Sequence, residues 1–260
     1  MLIVPRTDCI RCYFDSGSRT LSEFDSNELN VFYAETKHLS SRYLDIKRYI
    51  TNDEALRANK FLFDEDRETY ISCHAMLRLI LANELNTNPS GILMINGKDN
   101  KPGLQGNPVY FNITHTREAF ALTISRHYYV GIDMEKVNPG LDFYSIVKTY
   151  FSKRESDFIL QSESEAKNRF FLLWTRKEAL LKALGTGIIN ELTQIEVSGP
   201  ENSINKKSLE NMLIDSDSVS NEHFIYSRKL QENYLSVAIP CKATININHL
   251  NDENIVSYLD

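Results

Sequence analysis

The stretch YYVGIDMEKV, residues 128–137, decides how the rest of the chain is read. Along an extended strand successive side chains point to opposite faces, so Val130, Ile132 and Met134 share one face and Asp133 and Glu135 the other. The Cα atoms of the two acidic residues then stand roughly 6.6 Å apart, close enough for both carboxylates to reach one hard cation that prefers oxygen ligands. A solvent-exposed strand face carries the same alternation, so this segment alone leaves both readings open. Just upstream, FALTIS (120–125) also has strand character, and the spacing predicts a hairpin between the two runs across Arg126 and His127.

Outward from this point the pattern is mixed. Val109, Phe111 and Ile113 alternate as in a strand, and NGKDNKPGLQGNP (96–108) reads as a loop. Over 64–85 the residues Ile71, Ala75, Leu79 and Ala82 recur at helical spacing, with Pro89 just beyond. Thr51 and Glu54 form a capping box before a shorter amphipathic helix around Leu56 to Phe63. Downstream, Ser152 and Glu155 form a second capping box, and a long helix over 165–184 should stop at Gly185. Short strands are expected at 195–197, 224–226 and 234–239, with a polar loop over 198–222 and a short helix near 209–213. Long helices and short strands in both halves give an α/β (α+β) chain.

The composition, 42% hydrophobic and 25% charged, fits a folded globular body over 260 residues. A formal charge of −6 argues against a protein that coats nucleic acid, whose phosphates call for clustered Lys and Arg. No apolar run approaches the ~18 residues of a membrane span, and Arg6, Asp8 and Arg11 interrupt the N-terminal apolar residues as no signal peptide would. The expectation is a cytoplasmic protein with no membrane partner. The cysteines at 9, 12, 73 and 241 are too scattered for a disulfide framework. Cys9 and Cys12 form a C-x-x-C pair, yet no second pair or nearby His completes a tetrahedral metal site.

Two further segments carry polar chemistry. In WTRKEALLK (174–182) the helical period sets Trp174, Glu178 and Lys182 along one side, although Glu before Lys at i,i+4 is also a common exposed ion pair. A lone Trp more often packs in a core. The segments NKPGL and FNITHT bring Lys101, Thr114 and His115 near a strand end, where a phosphate could be hydrogen-bonded, while His115 taken alone also reads as a surface or core histidine.

In order and spacing, NKP, FNITHT, VGIDMEKV and WTRKEALLK resemble the motifs of the 4′-phosphopantetheinyl transferase superfamily, in particular its larger, monomeric, surfactin-synthetase-activating (Sfp) type, over residues 50–240. The resemblance implies two similar α/β halves in pseudo-twofold arrangement. Residues 1–127 would contact the nucleotide of coenzyme A, residues 128–260 would hold the metal-binding and catalytic groups, and the substrate would lie between. It implies Asp133, Glu135 and Glu178 as ligands of magnesium, with manganese as an alternative ion, and places Asp133 in the catalytic set with Glu178 and Lys182. Glu178 would also be the base for the acceptor serine, and Lys182 would stabilise or protonate the leaving phosphate. Thr114 and His115 would contact the coenzyme A phosphates, and Lys101 and Arg57 the nucleotide end. The reaction implied loads an apo-carrier protein, acyl, peptidyl or polyketide, with phosphopantetheine. Thr114 stands where the family has serine, and Asn100 where it has the glycine of G-K-P. The alternatives are a magnesium-dependent phosphohydrolase without a protein acceptor, and a non-catalytic binder of carrier domains or coenzyme A.

Overall fold

The computed structural model describes residues 28–96, 101–106, 108–186, 190–199, 203–205 and 222–259. Cys9, Cys12 and the helix expected near 209–213 lie outside the described residues.

The chain enters through β1 (Glu28–Glu35), followed by α1 (Thr36–Ser41), α2 (Tyr43–Ile46), α3 (Asn52–Ala58) and α4 (Asp64–Glu84). The capping box that opens α3 is formed: Glu54 reaches back to the Thr51 amide at 2.7 Å, and the Thr51 hydroxyl accepts the Glu54 amide at 3.3 Å. This helix ends at Ala58, short of the extent expected, so Phe61, Leu62 and Phe63 form an exposed corner before α4. β2 (Met94–Asn96) and β3 (Pro102–Leu104) make a two-stranded ribbon, which places a short strand inside the stretch read as loop. β4 (Tyr110–His115) and β5 (Ala119–Ser125) complete the first half.

The second half contains β6 (Gly131–Lys136), α5 (Tyr144–Tyr150), α6 (Lys153–Leu160), α7 (Ala166–Leu184), β7 (Ser203–Asn205), β8 (Glu222–Leu230) and β9 (Asn233–Ile239). α6 carries the second capping box, and α7 ends on Gly185 at φ 71°, the left-handed conformation that glycine adopts without strain. Residues 195–197 are not a strand. Ile195 and Val197 are buried there, and their carbonyls accept hydrogen bonds from Lys177 and Arg176 of α7 in place of a ladder. A last strand, β10 (Thr244–Leu250), pairs parallel with β1. Residues 244–250 thus belong to the first sheet although they follow the second half in sequence.

Two four-stranded sheets result, in the orders β10-β1-β5-β4 and β6-β9-β8-β7. The expected hairpin across Arg126 and His127 does not form, because β5 pairs with β1 and β4 whereas β6 pairs antiparallel with β9. Burial is the reason. Val130, Ile132 and Met134 share one core with Leu29, Val31, Ala119 and Ala121 of the first sheet, so the chain crosses between sheets instead of folding back in one. On the outer faces α4 covers Phe32, Phe120 and Leu122, and α7 packs in a separate core with Ile225 and Ala238. Strands such as β1 are therefore buried on both faces, which removes the alternation that would have marked them.

Where the two sheets meet, the end strands β4 and β6 pack side by side. The carboxamide oxygen of Asn112 accepts the Ile132 amide at 2.8 Å and closes this seam. α7 lies close over β6: a Cβ at Gly131 would stand 2.0 Å from the Ala179 carbonyl oxygen, so only glycine admits this approach.

Candidate active site

The seam gathers the acidic residues. Asp133 is buried at 5% exposure, which excludes the exposed-face reading, and Glu135 follows it on the same side of β6. Across from them on α7, Lys182 donates to Asp133 Oδ1 at 2.8 Å and to the Ile132 carbonyl at 3.2 Å. Lys182 is thus engaged across the seam with Asp133. From β4, Thr114 lines the same cleft as Asp133, and His115 stands exposed at the strand end. Trp174 turns away into the aromatic core beside Phe170, Tyr150 and Phe151.

The electrostatics are those of a site short of positive charge. Burial raises Asp133 despite the attraction of Lys182. Burial first, and then the charge of Asp133, push Glu135 and Glu178 up to about 7. His115 is lowered by loss of hydration and by the nearby His74 and Lys182.

A cleft of about 890 Å³ opens over this seam, lined by Thr114, His115, Asp133, Glu135 and Lys182 and continuing past Leu141 and Phe171. Its rim carries Arg117 and Lys136, the latter ion-paired with Glu118. Glu178 is half-buried near Asp133 and is not part of the cleft wall.

The other two residues expected to bind substrate stand apart from the cleft wall. Lys101 donates to the carbonyls of Val130, at 3.2 Å, and Lys182, so its ammonium ties the first half to the C-terminal turn of α7. Burial and the Lys182 charge lower it to about 8. Arg57 is exposed on α3 beside Tyr70, whose ring packs 4.1 Å from that of His74. His74 in turn contacts Glu54 at 3.3 Å, and Glu54 holds Arg78 at 2.8 Å.

Among the described residues no group of three His, Cys, Asp or Glu side chains is arranged to hold a metal ion. Two of the expected donors nevertheless carry oxygens of the kind a hard cation takes. Asp133 Oδ2 and Glu178 Oε1 are buried oxygens without a hydrogen-bond partner, as expected of ligands reserved for an ion that also takes phosphate and water oxygens.

Two supports of α7 escaped the sequence reading. Lys177 and Glu155 form an ion pair at 2.8 Å with both side chains fully buried. A chain of hydroxyls runs from Thr175 to Ser236 and Ser227. Lys177 had a signal of sorts, as a lysine on what should be a packed face. The hydroxyls had none, since Ser and Thr are common on either side of a sheet or helix.

The fold and this seam define a mixed α/β protein with a cleft that carries both carboxylates and cationic side chains, and comparison with known proteins gives the class. The family model for the 4′-phosphopantetheinyl transferase superfamily matches residues 129–236, the span that carries Asp133, Glu135, Glu178 and Lys182. The chain is 30% identical over 178 residues to the 4′-phosphopantetheinyl transferase HetI of Nostoc, covering 66% of this chain and 75% of that protein. It is 28% identical over 235 residues to the mouse L-aminoadipate-semialdehyde dehydrogenase-phosphopantetheinyl transferase, covering 85% of this chain and 74% of that one. With the 4′-phosphopantetheinyl transferase AcpT of Salmonella typhi it shares 33% identity over 113 residues, which is 42% of this chain and 56% of AcpT. The chain belongs to the 4′-phosphopantetheinyl transferase superfamily.

Proposed function

We propose that the seam between β4, β6 and α7 is the centre at which this chain moves the 4′-phosphopantetheine arm of coenzyme A onto a serine of an apo-carrier protein. The observation that carries the reading is that Asp133, Glu135 and Lys182 line one cleft with Thr114 and His115, while Glu178 on α7 lies close enough for the charge of Asp133 to act on it. Transfer of phosphopantetheine to carrier proteins is the activity of this family, and the chain acts as a 4′-phosphopantetheinyl transferase.

In this reading Asp133, Glu135 and Glu178 would hold magnesium, which would supply positive charge against the charge that develops on the coenzyme A phosphates. Glu178 takes the proton from the acceptor serine as its oxygen attacks the phosphorus that carries the pantetheine. The bond from that phosphorus to the bridging oxygen breaks, and adenosine 3′,5′-bisphosphate leaves. Lys182 is placed one helical turn from Glu178 and can stabilise or protonate the leaving phosphate. Thr114 and His115 offer hydrogen-bond donors to the phosphates from the opposite side of the cleft. Lys101 and Arg57 serve the nucleotide end, with Lys101 leaving its carbonyl partners to do so. The strand end at Thr114–Glu118 and the run Asp133–Leu141 with Lys182 supply the two walls, and because one chain supplies both, a monomeric enzyme is the expected form; its expected compartment is the cytoplasm.

The test is mass spectrometry of an apo-carrier protein incubated with the enzyme, coenzyme A and Mg²⁺, beside a sample with EDTA. A gain of one phosphopantetheine, lost with EDTA, is the expected result. Coenzyme A cleaved while several unrelated carriers stay unmodified would favour the phosphohydrolase reading, and no reaction at all would favour the binder.

A further inference from the structure

The hydroxyls beneath α7 lie in a row that leads to the site. In the second sheet Asp133 of β6 is the cross-strand partner of Ser236 on β9, and Ser236 is that of Ser227 on β8. Directly paired residues point to the same face of a sheet, and here that face is the one turned to α7. Thr175 comes down from α7 onto the middle of the row. Its hydroxyl bonds the Ser236 hydroxyl at 2.8 Å, and the Ser236 hydroxyl bonds that of Ser227 at 2.9 Å. Arg176 closes the far end, with Nε donating to Ser227 at 3.0 Å and a terminal nitrogen donating to the Val197 carbonyl at 2.8 Å.

Thr175 and Ser236 are both fully buried, in a helix–sheet interface where aliphatic residues would suffice for packing. Within such an interface apolar side chains permit a helix to slide or rotate slightly, whereas a hydrogen bond between two buried hydroxyls is satisfied only over a few tenths of an ångström in separation and weakens steeply when misaligned. Thr175, Ala179 and Ala183 fall on the same side of α7, at i, i+4 and i+8. Gly131 sets the close approach at the Ala179–Ala183 end, and the Thr175–Ser236 bond sets the other. Glu178 sits between these two fixed points, and Asp133 stands two residues after Gly131 on β6, directly opposite Ser236.

We infer that Thr175 and Ser236 are positioning residues, which lock the rotation of α7 over the sheet so that Glu178 is held at the right separation from Asp133 for one cation. Neither hydroxyl touches substrate in this scheme. The inference rests on the reading of Asp133, Glu135 and Glu178 as magnesium ligands, and it concerns geometry that stability alone does not report.

The experiment is calorimetric titration of Mg²⁺ into the full-length protein with coenzyme A present, for the wild type and for Thr175→Val, Thr175→Ser and Ser236→Ala, with melting temperatures measured in parallel. Ile80→Ala, in the core of the first half and remote from the seam, is a control for stability loss as such. Thr175→Val and Ser236→Ala should weaken magnesium binding by about tenfold, the lower end of what supporting hydrogen bonds contribute at metal sites. Thr175→Ser keeps the hydroxyl and should restore the wild-type affinity, and Ile80→Ala should bind magnesium normally despite its lower melting temperature. Wild-type affinity in both Thr175→Val and Ser236→Ala would overturn the positioning role and leave the magnesium reading intact, as would an equal loss of affinity in Ile80→Ala. A wild-type protein that binds no magnesium would overturn the metal reading, and the positioning role with it.

Discussion

Replacing Lys177 by Met tests the buried support of the catalytic helix. Its ammonium pairs with Glu155 at 2.8 Å and also donates to the carbonyls of Leu192, at 2.8 Å, and Ile195, at 2.5 Å. Both charged side chains are fully buried. Methionine has nearly the same length and fills the space, so the loss is electrostatic and not a cavity. Glu155 would keep the amides of Ser152 and Val197, each at 2.9 Å, but would lose its only counter-charge among these contacts. Removing one partner of a buried pair costs about 3–5 kcal/mol. The two carbonyls left without a donor push the value toward the upper end. At about 2–4 °C per kcal/mol for a chain of this size, the melting temperature should fall by roughly 6–20 °C. Urea unfolding followed by the fluorescence of Trp174, the single tryptophan, reads this directly, since its ring stacks on Phe170 at 6.0 Å in the same core. Adding Glu155→Gln to Lys177→Met should recover part of the loss by removing the stranded charge. A loss below about 1 kcal/mol in Lys177→Met, the range of an exposed ion pair, would refute the reasoning.

Other outcomes follow from the same geometry. Glu178→Gln should lower the transfer rate by about 10²–10⁴-fold while leaving the melting temperature nearly unchanged, measured by carrier mass analysis and thermal unfolding. Gly131→Ala should destabilise the protein by about 1–3 kcal/mol or more, because the new Cβ would meet backbone atoms at 2.0 and 2.4 Å that a side-chain movement cannot relieve. His223 is buried, and desolvation lowers it from the usual 6.5 to about 4. The unfolded chain therefore binds a proton at higher pH than the folded one, so stability present above pH 6.5 is lost as the pH falls toward 4. The shift corresponds to about 3 kcal/mol, and urea unfolding of His223→Leu across this window should show a flatter pH dependence than the wild type.

The local elements were largely legible in the sequence. Both capping boxes, the glycine stop at Gly185 and the 3.6-residue period of α4 and α7 are set by neighbours within a few residues, so short-range physics is enough to find them. Alternation alone placed Asp133 and Glu135 on the opposite face from Ile132 and Met134, and the structure buries the two sets in different surroundings. β1 and β10 were not legible. β1 is apolar on both faces, and β10 is a half-exposed end strand, so neither shows a clean period.

What the sequence by itself determined is the chemistry available: which carboxylates, cations and hydroxyls exist, on which kind of element, and in which order along the chain. Tertiary structure alone decided how they meet. The runs at 120–125 and 128–137 look like a hairpin to any rule that weighs only near neighbours, yet the apolar face of β6 packs with Leu29 and Val31 and with Leu235 and Val237, about a hundred positions away on either side, as well as with Ala119 and Ala121, and that burial outweighs a short turn. The same is true of Lys182, which looks like the partner of Glu178 one turn earlier but bonds Asp133, 49 positions distant. Hydrophobic burial is non-directional and sums over the whole molecule, so no local pattern can fix which surfaces it brings together.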